Sequence, residues 1–194
     1  MTTQKSNVSA DKHRVSPWNV PNMLSLSRVF LVPVILVFLT LRGQFGSLWG
    51  LNTGDLIAGI VFILASLTDA MDGYIARRCN IVTNMGKFID PIADKILVIA
   101  VLTSLVELHR FPAWMLVVII AREFIVSGLR MVASSEGVVI AASVGGKLKT
   151  VTQIIGIIMM LFGIPGAMVV MTVAVVLTVL SGIEYVVKGS SLLC

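Results

Sequence analysis

The chain has 194 residues, of which 57% are hydrophobic and only 13% charged, with a formal net charge of +5. A soluble domain carries about 25% charged residues, so this composition, with a mean hydropathy of +0.98, excludes a water-soluble globular protein. The apolar runs are continuous rather than alternating, which excludes a closed β-barrel. The basic residues do not gather into one soluble patch, so nucleic acid is not the expected partner. At about 20 residues per span, six helices need about 120 residues and leave room only for short loops. The expected fold is therefore an all-α integral membrane protein of six transmembrane helices behind a polar cytosolic tail.

Residues 1 to 16 are polar, with Lys5, Asp11, Lys12, His13 and Arg14 and no apolar run. They are too polar for the core of a signal peptide. Pro17 and Pro21 break the pattern, so residues 1–20 read as the tail and 21–190 as one membrane domain. The first span is expected over Met23 to Leu41. Asn22, Ser25 and Arg28 recur every three residues at its start, and the plain reading is an N-cap and a snorkelling arginine. Arg42 to Gly54 reads as an external loop punctuated by glycine.

Span two is expected over Asp55 to Ala76 and span three over Gly86 to Glu107, joined by an internal turn at 78–85. Pro91 lies near the start of span three, where proline is tolerated. His109 to Pro112 turns the chain outside, and span four follows over Ala113 to Ser134. After an internal loop at 135–143, span five runs from Gly145 to Gly163, Pro165 and Gly166 turn, and span six covers Ala167 to Val187. Gly156, Gly163 and the methionines at 159, 160, 168 and 171 read as helix-packing and filler positions. His13 and His109 have no neighbour that would make them ligands, and Cys79 and Cys194 lack metal spacing and read as free thiols.

With the N-terminus inside, thirteen of the fifteen lysines and arginines lie at internal ends, and only Arg42 and Arg110 lie outside. This is a strong positive-inside bias. Trp49 and Trp114 then fall at the outer boundary and Trp18 at the inner one. The expected location is the cell membrane, multi-pass, with both termini in the cytosol.

Against this apolar background, residues 69 to 94 hold four aspartates. Asp69 and Asp72 are three apart and Asp90 and Asp94 four apart, so on helices each pair shares a face. Carboxylates at membrane depth cost several kcal/mol and mark a functional site by default. Four of them converging would repel one another, and a hard divalent cation such as Mg²⁺ or Mn²⁺ relieves that repulsion through all-oxygen ligation. Both pairs fall at the cytosolic end, where a nucleotide would be.

The full spacing is Asp69-x2-Asp72-Gly73-x2-Ala76-Arg77-x8-Gly86-x3-Asp90-x3-Asp94. It resembles the signature of the CDP-alcohol phosphotransferases, membrane enzymes that build phospholipids from a cytidine-diphosphate-activated lipid. The resemblance implies Asp69, Asp72 and Asp90 as ligands of two Mg²⁺ (or Mn²⁺) ions, with Asp94 beside them as the general base. It implies CDP-diacylglycerol as donor, bound by Asn22, Ser25, Arg28, Asp69, Gly73, Ala76, Arg77, Thr83 and Gly86. Related enzymes carry Asn-x2-Thr-x2-Arg where this chain has Asn22-x2-Ser25-x2-Arg28, and serine keeps the hydroxyl. Gly73 and Gly86 leave room for a base and a diphosphate, and Arg77 suits charge-assisted bonds to phosphate.

The acceptor is read from the second half of the chain. Arg122 and Arg130 are eight apart in span four, within about 80° of one face. Lys147 and Lys149 open span five. Four cations near an acidic metal site call for an anionic acceptor. The segments Ala121-Arg122-Glu123 and Gly146-Lys147-Leu148-Lys149-Thr150 resemble the members of the family that form phosphatidylglycerophosphate from glycerol 3-phosphate. Inositol 1-phosphate as acceptor is the alternative within the family, and a divalent-cation transporter the alternative outside it. A plainer reading has the lysines snorkelling to anionic membrane lipids. A homodimer is expected.

Overall fold

The computed structural model describes residues 20–48, 50–79, 84–135 and 144–193, with side chains described over 27–48, 50–68, 95–133 and 145–187. Among the described residues it contains six long helices: α1 Val20–Thr40, α2 Thr53–Cys79, α3 Asn84–Glu107, α4 Ala113–Ser135, α5 Val144–Leu161 and α6 Ala167–Leu193. They follow the six apolar runs of the sequence. The differences are at the ends: α2 continues through Arg77 to Cys79, and α6 runs on to Leu193, beyond the expected Val187. The expected N-cap at Asn22 is overturned, because α1 already includes Val20 and Pro21.

The segment expected as a plain loop carries a short 3-10 turn, Arg42–Gln44, and a small hairpin of β1 Ser47–Leu48 with β2 Leu51–Asn52, antiparallel with Ser47 opposite Asn52. The hairpin leads directly into α2, whose first turn is capped by the Asn52 side chain accepting from the Gly54 N–H at 3.0 Å.

Short connections make successive helices antiparallel. α1 packs between α2 and α3, α6 packs on α5 and α4, and α2 meets α5. Ile35, Leu39, Phe62, Leu97, Leu105, Ile119, Ile157 and Met171 are fully buried where these faces meet. The outward faces are also apolar: Phe30, Leu64, Val117, Phe124, Val169 and Leu180 are among many large hydrophobic side chains left exposed. A water-facing surface is not built this way. α6 supplies the one described stretch, Ala167–Val187, that is long and apolar enough to cross a membrane by itself, with shorter apolar stretches at Ser27–Thr40 and Thr53–Thr68.

The turns after α3 and α5 use the same helix stop. After α5 the Gly163 N–H reaches the Met160 carbonyl and the Ile164 N–H that of Met159, with Gly163 at φ 63°. After α3 the His109 N–H reaches Val106 and the Arg110 N–H reaches Leu105, with His109 at φ 54°. These are Schellman stops, which need one left-handed residue. Gly163 is thus a turn residue and not the expected packing position, whereas Gly156 does pack: a Cβ there would lie 2.5 Å from Met171 Sδ.

One ion cluster ties this end of the bundle together. Asp55, buried in the first turn of α2, accepts from Arg110 Nη1 at 2.8 Å and faces Arg42 Nη1 at 3.5 Å, while Arg110 Nη2 donates to the Met160 carbonyl. Both arginines expected outside are therefore engaged, and they join the ends of α1, α3 and α5 to the start of α2.

Candidate active site

The opposite end of the bundle collects the start of α1, the end of α2, the start of α3, the end of α4, the start of α5 and the end of α6. The helical backbone of α2 carries Asp69, Asp72, Gly73, Ala76 and Arg77, and that of α3 carries Gly86, Asp90 and Asp94. The three- and four-residue spacings thus fall on helix, and each aspartate pair shares a face of its helix. The side chains of these residues, and those of Asn22 and Ser25, lie outside the described residues, as does Thr83 altogether. Among described side chains, no group of three potential metal ligands converges.

Arg28 is described, and it corrects the plain expectation. Its side chain does not snorkel to a surface; it is 2% exposed, inside the bundle on the helix that packs between the two carriers of the acidic motif. Burying a guanidinium is costly unless it is engaged, and Arg28 is engaged.

Three of the four residues expected to hold the acceptor, Arg122, Arg130 and Lys149, lie in two linked clusters. Glu123 of α4 is the centre of the first. Its Oε1 accepts from Lys149 Nζ of α5 and from Arg122 Nη1 at 3.2 Å, and its Oε2 faces Lys95 Nζ of α3 at 3.6 Å. Lys95 Nζ also donates to Ser127 Oγ. Three cations from three helices share one carboxylate, so this group of described side chains keeps a formal charge of +2. At such depth an excess of positive charge favours a bound anion. A small cavity of about 50 Å³ opens beside it, lined by Lys95, Glu123, Lys149 and Gln153 among others.

Tyr185 of α6 is the centre of the second cluster. Arg130 Nη2 donates to its hydroxyl at 2.6 Å, with the guanidinium carbon 5.1 Å from the ring centre. The Arg122 guanidinium lies 5.7 Å from the same ring, and its Nη2 donates to Ser181 Oγ at 2.9 Å. Arg122 therefore belongs to both clusters. Of the four expected acceptor residues, the structure links Arg122, Arg130 and Lys149 through two shared partners, while Lys147 stands exposed in the first turn of α5. The expectation of lysines snorkelling to lipid is overturned for Lys149, which is buried with 6% of its side chain exposed.

Glu123, Lys95, Ser181 and Tyr185 carry much of this arrangement, and the motif reading assigned none of them to the site. One signal was available. Glu123 and Ser127, Lys149 and Gln153, and Ser181 and Tyr185 are polar pairs four residues apart inside apolar helices, and such pairs mark an inward polar face.

The sequence model of the CDP-alcohol phosphatidyltransferase family matches residues 18–180 of this chain. The chain is 43% identical over 187 residues to the CDP-diacylglycerol–glycerol-3-phosphate 3-phosphatidyltransferase of Bacillus subtilis strain 168, covering 89% of this chain and 95% of that protein. It is 39% identical over 176 residues to a probable phosphatidylglycerophosphate synthase of Mycobacterium tuberculosis strain CDC 1551, covering 88% and 81%. It is 34% identical over 176 residues to the CDP-diacylglycerol–glycerol-3-phosphate 3-phosphatidyltransferase of Rickettsia typhi, covering 86% and 94%. The transporter alternative falls away with these matches, and the chain belongs to the CDP-alcohol phosphatidyltransferase family.

Proposed function

We propose that this chain is a phosphatidylglycerophosphate synthase, transferring the phosphatidyl group of CDP-diacylglycerol to glycerol 3-phosphate with release of CMP. The observation that carries the choice of acceptor is the excess of cations that α3, α4 and α5 gather around Glu123 among the described side chains. A neutral alcohol would leave that charge uncompensated, whereas a phosphate monoester offsets it. The relatives that are glycerol-3-phosphate 3-phosphatidyltransferases support the same acceptor.

Asp69, Asp72, Asp90 and Asp94 would hold two Mg²⁺ or Mn²⁺ ions; a donor set made only of carboxylate oxygens suits such hard cations. When bound, they neutralise the diphosphate and the leaving CMP. Asp94 takes the proton of the glycerol 3-phosphate hydroxyl as that oxygen bonds to the β-phosphorus of CDP-diacylglycerol. The bond from that phosphorus to the bridging oxygen breaks, and CMP departs. Arg28, Arg77 and the two glycines of the motif serve the donor, and Arg122, Arg130, Lys147 and Lys149 hold the acceptor phosphate. In this reading all six helices span the membrane of a homodimer, with the acidic motif at the cytosolic face.

The test is CMP release from CDP-diacylglycerol in detergent, with glycerol 3-phosphate, inositol 1-phosphate or glycerol as acceptor. Glycerol 3-phosphate is expected to support turnover and glycerol not to. EDTA should stop the reaction and Mg²⁺ or Mn²⁺ restore it. Faster turnover with inositol 1-phosphate would reassign the acceptor, and undiminished activity in EDTA would remove the metals.

A further inference from the structure

α6 is the most apolar helix of the chain, yet it presents one polar stripe: Thr178, Ser181, Gly182 and Tyr185, at intervals of three, four and seven residues, which fall on one face. Thr178, Ser181 and Tyr185 are buried, at 0%, 3% and 4% exposure. The stripe faces α4 and holds two of its arginines. Ser181 accepts from Arg122, and the Tyr185 ring and hydroxyl take Arg122 and Arg130 together. At Gly182 a Cβ would stand 3.0 Å from Arg122 Cγ, closer than nearly all real contacts, so a side chain there would push the Arg122 stem away.

The partners are chemically unusual for a pair of arginines in an apolar helix bundle. A carboxylate would fix a guanidinium and cancel its charge. A hydroxyl and an aromatic face fix it and leave the charge in place, because the ring offers only its quadrupole. Two guanidiniums held against one ring would repel each other, and an anion bridging them removes that repulsion. Arg122 also meets a carboxylate, since Glu123 Oε1 accepts from its Nη1 at 3.2 Å, but that carboxylate is shared with Lys149 and Lys95 and cannot cancel the charge of all three.

We propose that Tyr185 is a positioning residue for the acceptor: it aims Arg122 and Arg130, still charged, at one phosphate, with Ser181 and Gly182 completing the cradle for Arg122. This rests on the reading of Arg122 and Arg130 as acceptor-phosphate residues and adds α6 to the acceptor site. Tyr185 itself touches neither substrate.

The experiment is steady-state kinetics of the purified full-length enzyme, varying each substrate separately, for wild type, Tyr185→Phe and Tyr185→Leu, alongside melting temperatures. Phe keeps the ring and loses the hydroxyl; Leu loses both. Acceptor KM is expected to rise about threefold for Phe and tenfold or more for Leu, in line with the loss of one charge-assisted bond and then of the ring. The KM for CDP-diacylglycerol and kcat should stay within about twofold. Competitive inhibition by inorganic phosphate should weaken in the same order. An unchanged acceptor KM in both variants overturns the proposal, as does a parallel loss of kcat and of affinity for both substrates. Should the Leu variant not fold, the Phe variant decides by the same criteria. If wild type prefers inositol 1-phosphate, the functional reading falls but the same shifts, read with that acceptor, uphold the role of Tyr185.

Discussion

Glu123 is the carboxylate through which α3, α4 and α5 meet, since α3 otherwise packs mainly on α1 and only thinly on α4 and α5. Removing one partner of a buried pair leaves the other charge uncompensated and costs about 3–5 kcal/mol. Glu123→Gln should therefore lower the melting temperature in detergent markedly, and Lys149→Met should do so as well. Glu123→Gln with Lys149→Met is expected to be less destabilised than the sum of the two, because the second change removes the charge that the first stranded. Strictly additive losses would mean that the two side chains do not depend on each other. Asp94→Asn should behave in the opposite way: kcat lower by roughly 10²–10⁴ with the melting temperature held. The two acids also differ in how far they could be read from the chain. Asp94 is legible because its family spacing is fixed in sequence. Glu123 sits beside Arg122 in plain view, but its role depends on Lys95 and Lys149, 28 and 26 residues away, and only the fold brings those together.

At the scale of elements, the helices were legible because each is a continuous apolar run, and hydrophobicity over about 20 residues is a strong signal. The hairpin at 47–52 was not, since two-residue strands are too short to show any alternation. The helix stops were half legible: glycine at 163 announces a turn, but histidine in the same backbone conformation at 109 does not. Close approaches between helices were not legible either, and they can be tested. A Cβ at Gly54 would lie 2.4 Å from the Phe38 carbonyl oxygen and 2.8 Å from Arg42 Cα, both backbone atoms. α1 and its following turn would have to move away from α2. Gly54→Ala is expected to cost about 1–3 kcal/mol, the usual scale of overpacking. Gly156→Ala meets the flexible end of Met171 and should cost less. Melting temperatures ranking the two in the other order would mean that the α1–α2 contact is softer than its geometry.

The whole molecule has two polar ends of different character. One is closed by Asp55, Arg42 and Arg110 and ties helix ends together; the other holds the acidic motif and the excess of cations on α3, α4 and α5. On the proposed function a nucleotide-activated lipid and a phosphorylated acceptor belong with the second, so that end is expected to face the compartment containing both, and the hairpin end the other side of the membrane. The charge distribution along the chain leads to the same orientation, with the hairpin outside. Cysteine labelling tests it. Gly46 is a poor position for the probe, because its φ of 67° would strain any side chain, whereas a Cβ at Gly43 meets nothing within 4 Å. Gly43→Cys should react with a membrane-impermeant maleimide in intact cells. The native Cys79 and Cys194, both assigned to the cytosolic side, should react only after permeabilisation, so the wild-type chain serves as the blank. Labelling of the wild-type chain in intact cells, with Gly43→Cys adding nothing to it, would reverse the molecule in the membrane and place the acidic motif on the side where CDP-diacylglycerol could not be turned over with a cytosolic acceptor.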